Sequence, residues 1–361
     1  MKLDINTQSL SLLVPEISGN PFTCSSNNHI LVTGGAGFLG IHLLRDLVEC
    51  GCYDKIYTIV RNPSKLISQA AYYGIFGKWL ESITVIKGDL LNLPENLFPD
   101  VEHVLHSAAE IHCLKNRNQL WSNNVLATQR IAEIYRLNKI SFISTLSVFV
   151  SSNQKGLHLP QSIPLSDDYS LYGGYAQTKF IGEKIIEKVH GNIIRLGLIT
   201  GSTHSGIFPA DFFTQIVKLL ELTKCYPVGY QESFVDMTPV DYASQEILKA
   251  MHKTNTIVHI ANKDSTSINT FISELNLKPV DRDVWLESIK SLGNLEQYLL
   301  RYAFFKDEML SNHFNYFNLD LFQSTGHQYG IEKSLPIDNE TMLKLYISSI
   351  TERVFDSNLK I

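Results

Sequence analysis

The feature that most constrains this chain is a run of glycines set between a short apolar segment and an amphipathic one. His29 to Thr33 (HILVT) leads into Gly34-Gly35-Ala36-Gly37-Phe38-Leu39-Gly40, after which Leu39, Leu43, Leu44, Leu47 and Val48 recur at helical spacing up to Gly51. That order predicts strand, turn and helix, with Gly51 as the C-terminal stop. The glycines read as GxGxxG from Gly35 or as GxxGxxG from Gly34, and both readings share Gly37 and Gly40. Residues without a Cβ let the backbone close on a pyrophosphate, whose charge then sits at the positive end of a helix. A bare GxGxxG also forms tight turns that hold nothing. The strand before it and the helix after it favour a dinucleotide site.

Further short apolar runs follow at 55–60 (KIYTIV), 83–86 (ITVI), 103–106 (HVLH), 140–144 (ISFIS) and 192–196 (NIIRL), with helix-compatible segments between most of them. Alternation of this kind predicts an α/β fold, a Rossmann doubly wound parallel sheet covered on both faces. Beyond about residue 201 it loosens, although 257–262 (IVHIAN) reads as one more strand of the sheet. Segments at 211–222, 284–292, 295–305 and 339–350 carry aliphatic and aromatic residues at helical spacing. They predict a smaller, mostly helical C-terminal substrate-binding subdomain over the carboxyl edge of the sheet, where ligands of open α/β sheets bind. The expected division is 1–28 as a leader or linker rich in Ser, Asn, Thr and Pro, 29–201 as the nucleotide-binding domain with the returning strand at 257–262, and 202–361 as the helical subdomain.

Composition narrows the partners. The 361 residues are 44% apolar and 19% charged, as in folded globular proteins, and the formal charge of -5 offers no general basic field for nucleic acid or an anionic membrane. No stretch approaches the ~18 uninterrupted apolar residues that span a bilayer, and the N-terminus lacks a signal-peptide pattern. Five cysteines without regular spacing read as reduced thiols, so a cytoplasmic location is expected. Cys50-Gly51-Cys52 has no second pair to complete a metal site, and His103, His106, His112 and Cys113 read as core or loop packing, because a strand splits alternate residues between two faces.

The second strand of such a fold ends in the residue that meets the adenosine ribose, an acid for a free 2′-hydroxyl or an arginine for a 2′-phosphate. Here it ends IYTIVRN, with Arg61 21 positions after Gly40 and Lys65 close behind. That favours NADP(H) over a solvated surface arginine. Asp89, in the GDL after the third strand, either accepts a hydrogen bond from the adenine amino group or is a turn residue. Most informative are Ser144-Thr145 at the end of the fifth strand and Tyr175-Ala-Gln-Thr-Lys179 opening the next helix. Tyr and Lys four apart share a helix face, and an ammonium beside a phenol favours the phenolate. A hydroxyl at the strand end shares the hydrogen bonds to a substrate carbonyl. This set suits hydride transfer at a carbon bearing oxygen.

Through TGGAGFLG, GDL, HSAAE (106–110), STLSV (144–148) and YAQTK the sequence resembles the extended short-chain dehydrogenase/reductase superfamily. IVRN, WSNNVLAT (121–128), GGYAQTKFIGEKII (173–186), IIRLGLITGSTHSGIFPADFF (193–213) and FVDMTPVDYAS (234–244) narrow this. They resemble the thioester reductases, the terminal reductase domains of nonribosomal peptide and polyketide synthetases, from about residue 29 to the end. The resemblance implies NADPH-dependent release of an acyl or peptidyl chain from the phosphopantetheine arm of a carrier protein, as an aldehyde or further to an alcohol. It implies Thr145, Tyr175 and Lys179 as catalytic residues. Around the cofactor it implies Thr33, Gly34, Gly37, Phe38, Leu39, Gly40, Arg61, Asp89, Leu90, Ser107, Ala108, Ala109, Asn124 and Leu198 together with Tyr175 and Lys179, with Asn124 also supporting the active site. Two departures stand out: Arg195-Leu196-Gly197 replaces the family's RPG, and SKLISQAAYYG lacks a further arginine, which weakens the expected preference for NADP.

Two other readings compete. A sugar-nucleotide epimerase/dehydratase or a fatty acyl-CoA reductase would share the fold, but Arg61 in place of an acid opposes the first and the lack of an anchoring segment opposes the second. A non-catalytic dinucleotide scaffold would not need Thr145, Tyr175 and Lys179 together.

Overall fold

The computed structural model describes residues 28–293, apart from 96, 113–114, 150–170, 172, 204–206, 210, 233, 236 and 263–265, together with residues 341, 343–345, 347 and 348 of a C-terminal helix. The predicted helix at 295–305 lies outside the described residues.

Seven parallel strands form the central sheet: β1 (His29–Thr33), β2 (Lys55–Val60), β3 (Ile83–Lys87), β4 (His103–His106), β5 (Lys139–Thr145), β6 (Asn192–Leu196) and β7 (Ile257–Ile260), in the order β7-β6-β5-β4-β1-β2-β3. Parallel neighbours need long crossovers, and most of these carry a helix. The helices are α1 (Phe38–Cys50), α2 (Pro63–Tyr72), α3 (Arg117–Leu120) running through a π-helical stretch at Trp121–Leu126 into α4 (Ala127–Ile134), α5 (Gly173–Lys188), and α7 (Val240–Ala250) before β7. Apart from the edge strand β3, the strands are buried almost throughout, which is why they read as continuous apolar runs. Their core gathers Leu31, Val104, Ile140, Phe142, Ile185 and Ile193 among others. Successive strands leave β1 in opposite directions, β2 to one side and β4 to the other, so the carboxyl edge between them is the topological switch point where α/β sheets bind ligands.

The chain divides into two compact units. The first comprises residues 1–149, 164–196 and 241–260, so it takes in α7 as well as β7, where the sequence pattern returns only the strand. The reason is the crossover itself: β7 joins β6 in parallel, and the helix before it belongs to that connection. The second unit comprises 150–163, 197–240 and 261–361. Its described helices are α6 (Phe212–Thr223), α8 (Ile268–Glu274) and α9 (Arg282–Ser291), and it also contains short two-stranded ladders pairing Ile199–Thr200 with Thr238–Pro239, Phe234–Val235 with Thr266–Ser267, and Cys225–Pro227 with Lys278–Val280. Among the described residues no helix is long and apolar enough to cross a membrane.

Candidate active site

The glycine turn sits at the end of β1. Gly34 has φ +78, and a Cβ there would stand 2.8 Å from the amide nitrogen of Ala108, so both the left-handed backbone and the close approach of the β4 loop require glycine. A Cβ on Gly40 would drive into the carbonyl of Gly34, so this glycine lets α1 start directly against the turn. Gly37 caps α1 without a side-chain hydrogen bond, which leaves the helix N-terminus open to an anion. Phe38 and Leu39 form the first turn, with the Phe38 ring tilted against Tyr73 at 4.8 Å. This glycine cradle, which any side chain would fill, fits the pyrophosphate of a dinucleotide.

Other expected residues stand at the same carboxyl edge. Arg61 is exposed one position beyond β2, beside Asn62, whose side chain caps α2 by accepting from the Ser64 amide at 3.1 Å. Asp89 follows β3, and its carboxylate accepts from the Leu91 amide at 3.0 Å to cap the short turn Leu90–Asn92. Ser107, Ala108 and Ala109 follow β4, where the Ala108 amide donates to the Thr33 hydroxyl at 3.2 Å. Leu198 belongs to the second unit, where its carbonyl accepts from the Thr238 amide at 3.0 Å.

Thr145 is the last residue of β5, and Tyr175 and Lys179 lie one turn apart near the start of α5. The Thr145 hydroxyl is hydrogen-bonded to the Tyr175 phenol and also accepts from the Ser147 amide at 3.1 Å. Burial raises the Tyr175 pKa to about 12, against a smaller opposing effect of the Thr145 hydrogen bond. Protonated, the phenol can donate a hydrogen bond. The ammonium of Lys179 lies 3.9 Å from the centroid of the Phe142 ring. Its pKa falls to about 7, chiefly through burial, with Glu183 acting in the opposite sense.

A chain of oriented hydrogen bonds joins the nucleotide loop to the Tyr-Lys helix. The Thr128 hydroxyl donates to the Asn124 carbonyl at 2.6 Å, so at 2.9 Å it must accept from Nε2–H of His106, and Nδ1 of His106 then accepts from the Thr33 hydroxyl at 2.7 Å. Burial, with Lys179 nearby, keeps His106 neutral by lowering its pKa to about 3. Asn124, buried in the π-helical stretch, accepts from the Glu110 amide at 2.7 Å. It donates at 3.0 Å to both the Glu110 carbonyl and the Thr178 hydroxyl, and Thr178 donates to the Tyr175 carbonyl at 2.9 Å. A π-bulge turns one side chain out of helical register, and such bulges gather at functional sites. Among the described residues no group of His, Cys, Asp and Glu is arranged to hold a metal ion.

Sequence reasoning did not single out Thr33's role in this chain, nor Thr128, Thr178 and Glu183. Thr33 ends an apolar strand, but Thr128, Thr178 and Glu183 lie on helices with several polar residues and carry no signal of their own until their partners are known.

The glycine cradle at the switch point and the Thr145-Tyr175-Lys179 set on β5 and α5 define a Rossmann-fold protein that binds a nicotinamide dinucleotide. More particularly, the chain belongs to the NAD-binding family described as male sterility protein, whose model matches residues 32–247. It is 26% identical over 288 residues to the L-2-aminoadipate reductase of Schizosaccharomyces pombe, across 68% of this chain and 20% of that one. It is likewise 26% identical over 301 residues to the fusarin C synthetase of Gibberella fujikuroi, across 76% of this chain and 7% of that one. The chain thus spans a fifth or less of the length of these relatives. The terminal R domain from the myxalamid PKS-NRPS biosynthetic pathway has the same fold, with a TM-score of 0.76 at 23% identity over 92% of this chain and 93% of that one.

Proposed function

We propose that this protein is an NADPH-dependent thioester reductase that releases an acyl or peptidyl chain from a phosphopantetheinylated carrier protein as an aldehyde. The observation that carries the reading is the geometry of the Tyr175 phenol, part-exposed and hydrogen-bonded to Thr145 at the end of β5, with Lys179 one turn further along α5. A reduction needs a proton donor at the carbonyl oxygen, and the protonated phenol of a tyrosine can serve as one. The names of the reductase and synthetase relatives support the substrate class, and Arg61 supports NADPH over NADH. Among the matched structures is a thiolation-reductase di-domain from an archaeal non-ribosomal peptide synthetase, which supports a carrier partner.

When bound, the nicotinamide supplies hydride to the thioester carbonyl carbon. Gly34, Gly37 and Gly40 would receive the pyrophosphate, Arg61 the 2′-phosphate and Lys179 the nicotinamide ribose. As the carbonyl oxygen gains charge, Tyr175 and Thr145 donate hydrogen bonds to it, and Tyr175 passes its proton to give a hemithioacetal. Collapse of that adduct breaks the C–S bond and yields an aldehyde and the pantetheine thiol, so no enzyme nucleophile is required.

The test is to supply an acyl-pantetheine thioester, or the same acyl group on a carrier protein, and to follow oxidation of NADPH and of NADH together with free thiol. Oxidation of NADPH matched by thiol release is expected, with kcat reduced at least ~100-fold in Tyr175→Phe. Thiol release without oxidation of either cofactor, or full turnover by Tyr175→Phe, would overturn the reading.

A further inference from the structure

One motif of the sequence has no part in the reduction, Cys50-Gly51-Cys52. It ends α1, whose 13 residues begin at the glycine cradle, so the two thiols stand about 20 Å along the helix from the nucleotide loop. Both are free and exposed, whereas Cys225 is buried. Packing does not account for the pair, because a cysteine kept as a small apolar side chain is usually found inside.

Gly51 sets how near the two cysteines come. Its backbone is left-handed, at φ 61 and ψ 19, and its amide donates to the Val48 carbonyl at 3.2 Å. Such a residue bends the chain as a helical one does, in mirror image, so the flanking Cα atoms stand about 5.5 Å apart. A disulfide bridges Cα atoms roughly 4.4–6.8 Å apart, which lets one cross this turn with the backbone in place. The sulfurs also share the turn's peptide groups. Cys50 Sγ donates to the Leu47 carbonyl at 3.2 Å and accepts from the Cys52 amide at 3.4 Å, while Cys52 Sγ donates to the Cys50 carbonyl at 3.4 Å. Beyond the turn, the Asn28 side chain donates to the Cys52 carbonyl, and the Asn28 carbonyl accepts from the Asp54 amide at 2.9 Å. The bend is thus held from both sides. It is also open to a reagent, since a Cβ on Gly51 would meet nothing within 4 Å.

We propose that Cys50 and Cys52 are a redox-active dithiol that exchanges with small disulfides such as oxidised glutathione and closes into a Cys50–Cys52 disulfide. The Cys52 thiolate attacks one sulfur of the small disulfide, forming a mixed disulfide and releasing one glutathione. The Cys50 thiolate then attacks Cys52 Sγ, the mixed S–S bond breaks, and the second glutathione leaves. Both thiol protons end on the two glutathione molecules, and the two electrons given up by the cysteines reduce the small disulfide. Desolvation raises the Cys50 pKa, which leaves Cys52 to open the exchange and Cys50 to complete it.

The experiment equilibrates the full-length protein, without oxygen, at set ratios of reduced to oxidised glutathione, traps the remaining thiols with N-ethylmaleimide, and digests with trypsin. Cleavage after Arg45 and Lys55 gives the peptide 46–55, which holds these two cysteines and no other. As oxidised glutathione rises, this peptide should become lighter by two hydrogens and take up no alkylating reagent, and dithiothreitol should restore both thiols. Cys50→Ser should stop at one glutathione on Cys52. Because the fold holds the turn ready, the native chain should reach half oxidation at a level of oxidised glutathione at least ~10-fold lower than a synthetic peptide 46–55. Two alkylated cysteines at every ratio, or a glutathione adduct that persists in the wild-type chain, would overturn the proposal. So would a native chain no more readily oxidised than the peptide. If Cys50→Ser does not fold, the wild-type chain and the peptide decide between these outcomes.

Discussion

At the scale of single residues, the proposed preference for NADPH rests on Arg61. No acid stands near the end of β2, from Tyr57 to Ser68, so nothing there would pair with a free ribose 2′-hydroxyl in the usual way. A charge-assisted hydrogen bond to a phosphate is worth roughly 1.5–3 kcal/mol, so Arg61→Ala should weaken NADPH binding by about 10- to 100-fold and leave NADH nearly untouched. Because Arg61 is exposed, the wild-type advantage for NADPH should shrink as salt rises. Fluorescence titration with both cofactors at two ionic strengths checks this, and an equal loss for both would show that Arg61 does not read the 2′-phosphate.

At the scale of elements, Asn124 shows how a helix is aimed. It ties the loop after β4 to α5 through Glu110 and Thr178, and it reaches them from a π-helical turn. Asn124→Ala would strand the Glu110 amide and carbonyl, so it should cost about 2 kcal/mol or more of stability and lower turnover by shifting Tyr175. Urea unfolding and kcat measured on the same variant check it; an unchanged urea midpoint would mean that water replaces the side chain. The contrast between what could and could not be read from sequence has the same origin. The strands, the glycine turn and the Tyr175-Lys179 face were legible because each depends on a few consecutive residues with their own period. The π-helical turn was not, since it has no periodicity of its own, and the partners of His106 and Glu183 were not, since they depend on register between strands far apart in sequence. Ser144 and Arg195, which both donate to the Glu183 carboxylate, are separated by 51 positions and meet only because β5 pairs with β6. The α7 helix escaped for a related reason: it belongs to the sheet unit through β7, which returns only after the chain has built part of the second unit.

At the scale of the whole molecule, the two units carry titratable groups that respond to acid in opposite senses. In the first unit, His106 has a folded pKa of about 3 against 6.5 for a free side chain, so the unfolded chain takes up the proton first. Its contribution to stability is present above 6.5 and is lost as pH falls towards 3, about 2 kcal/mol between pH 7 and pH 5. His103, lowered to about 4 by burial, acts in the same direction. In the second unit, Asp211 caps α6 by accepting from the Thr214 amide at 2.8 Å, and burial raises its pKa from 3.8 to about 6. Here the folded form holds the proton more tightly, so stability is fully present below 3.8 and is lost as pH rises through 6. Moving from pH 7 to pH 5 should therefore stabilise the second unit by about 1 kcal/mol. Hydrogen exchange followed by mass spectrometry, corrected for the intrinsic effect of pH, should show β4 and β5 losing protection at pH 5 while α6 gains it. Asp211→Asn keeps a capping side chain but removes the titration, so it should abolish the gain in α6 and leave the loss in β4 and β5 intact. If both units lose protection together in wild type and variant alike, they unfold as one cooperative body and the local titrations do not govern them separately.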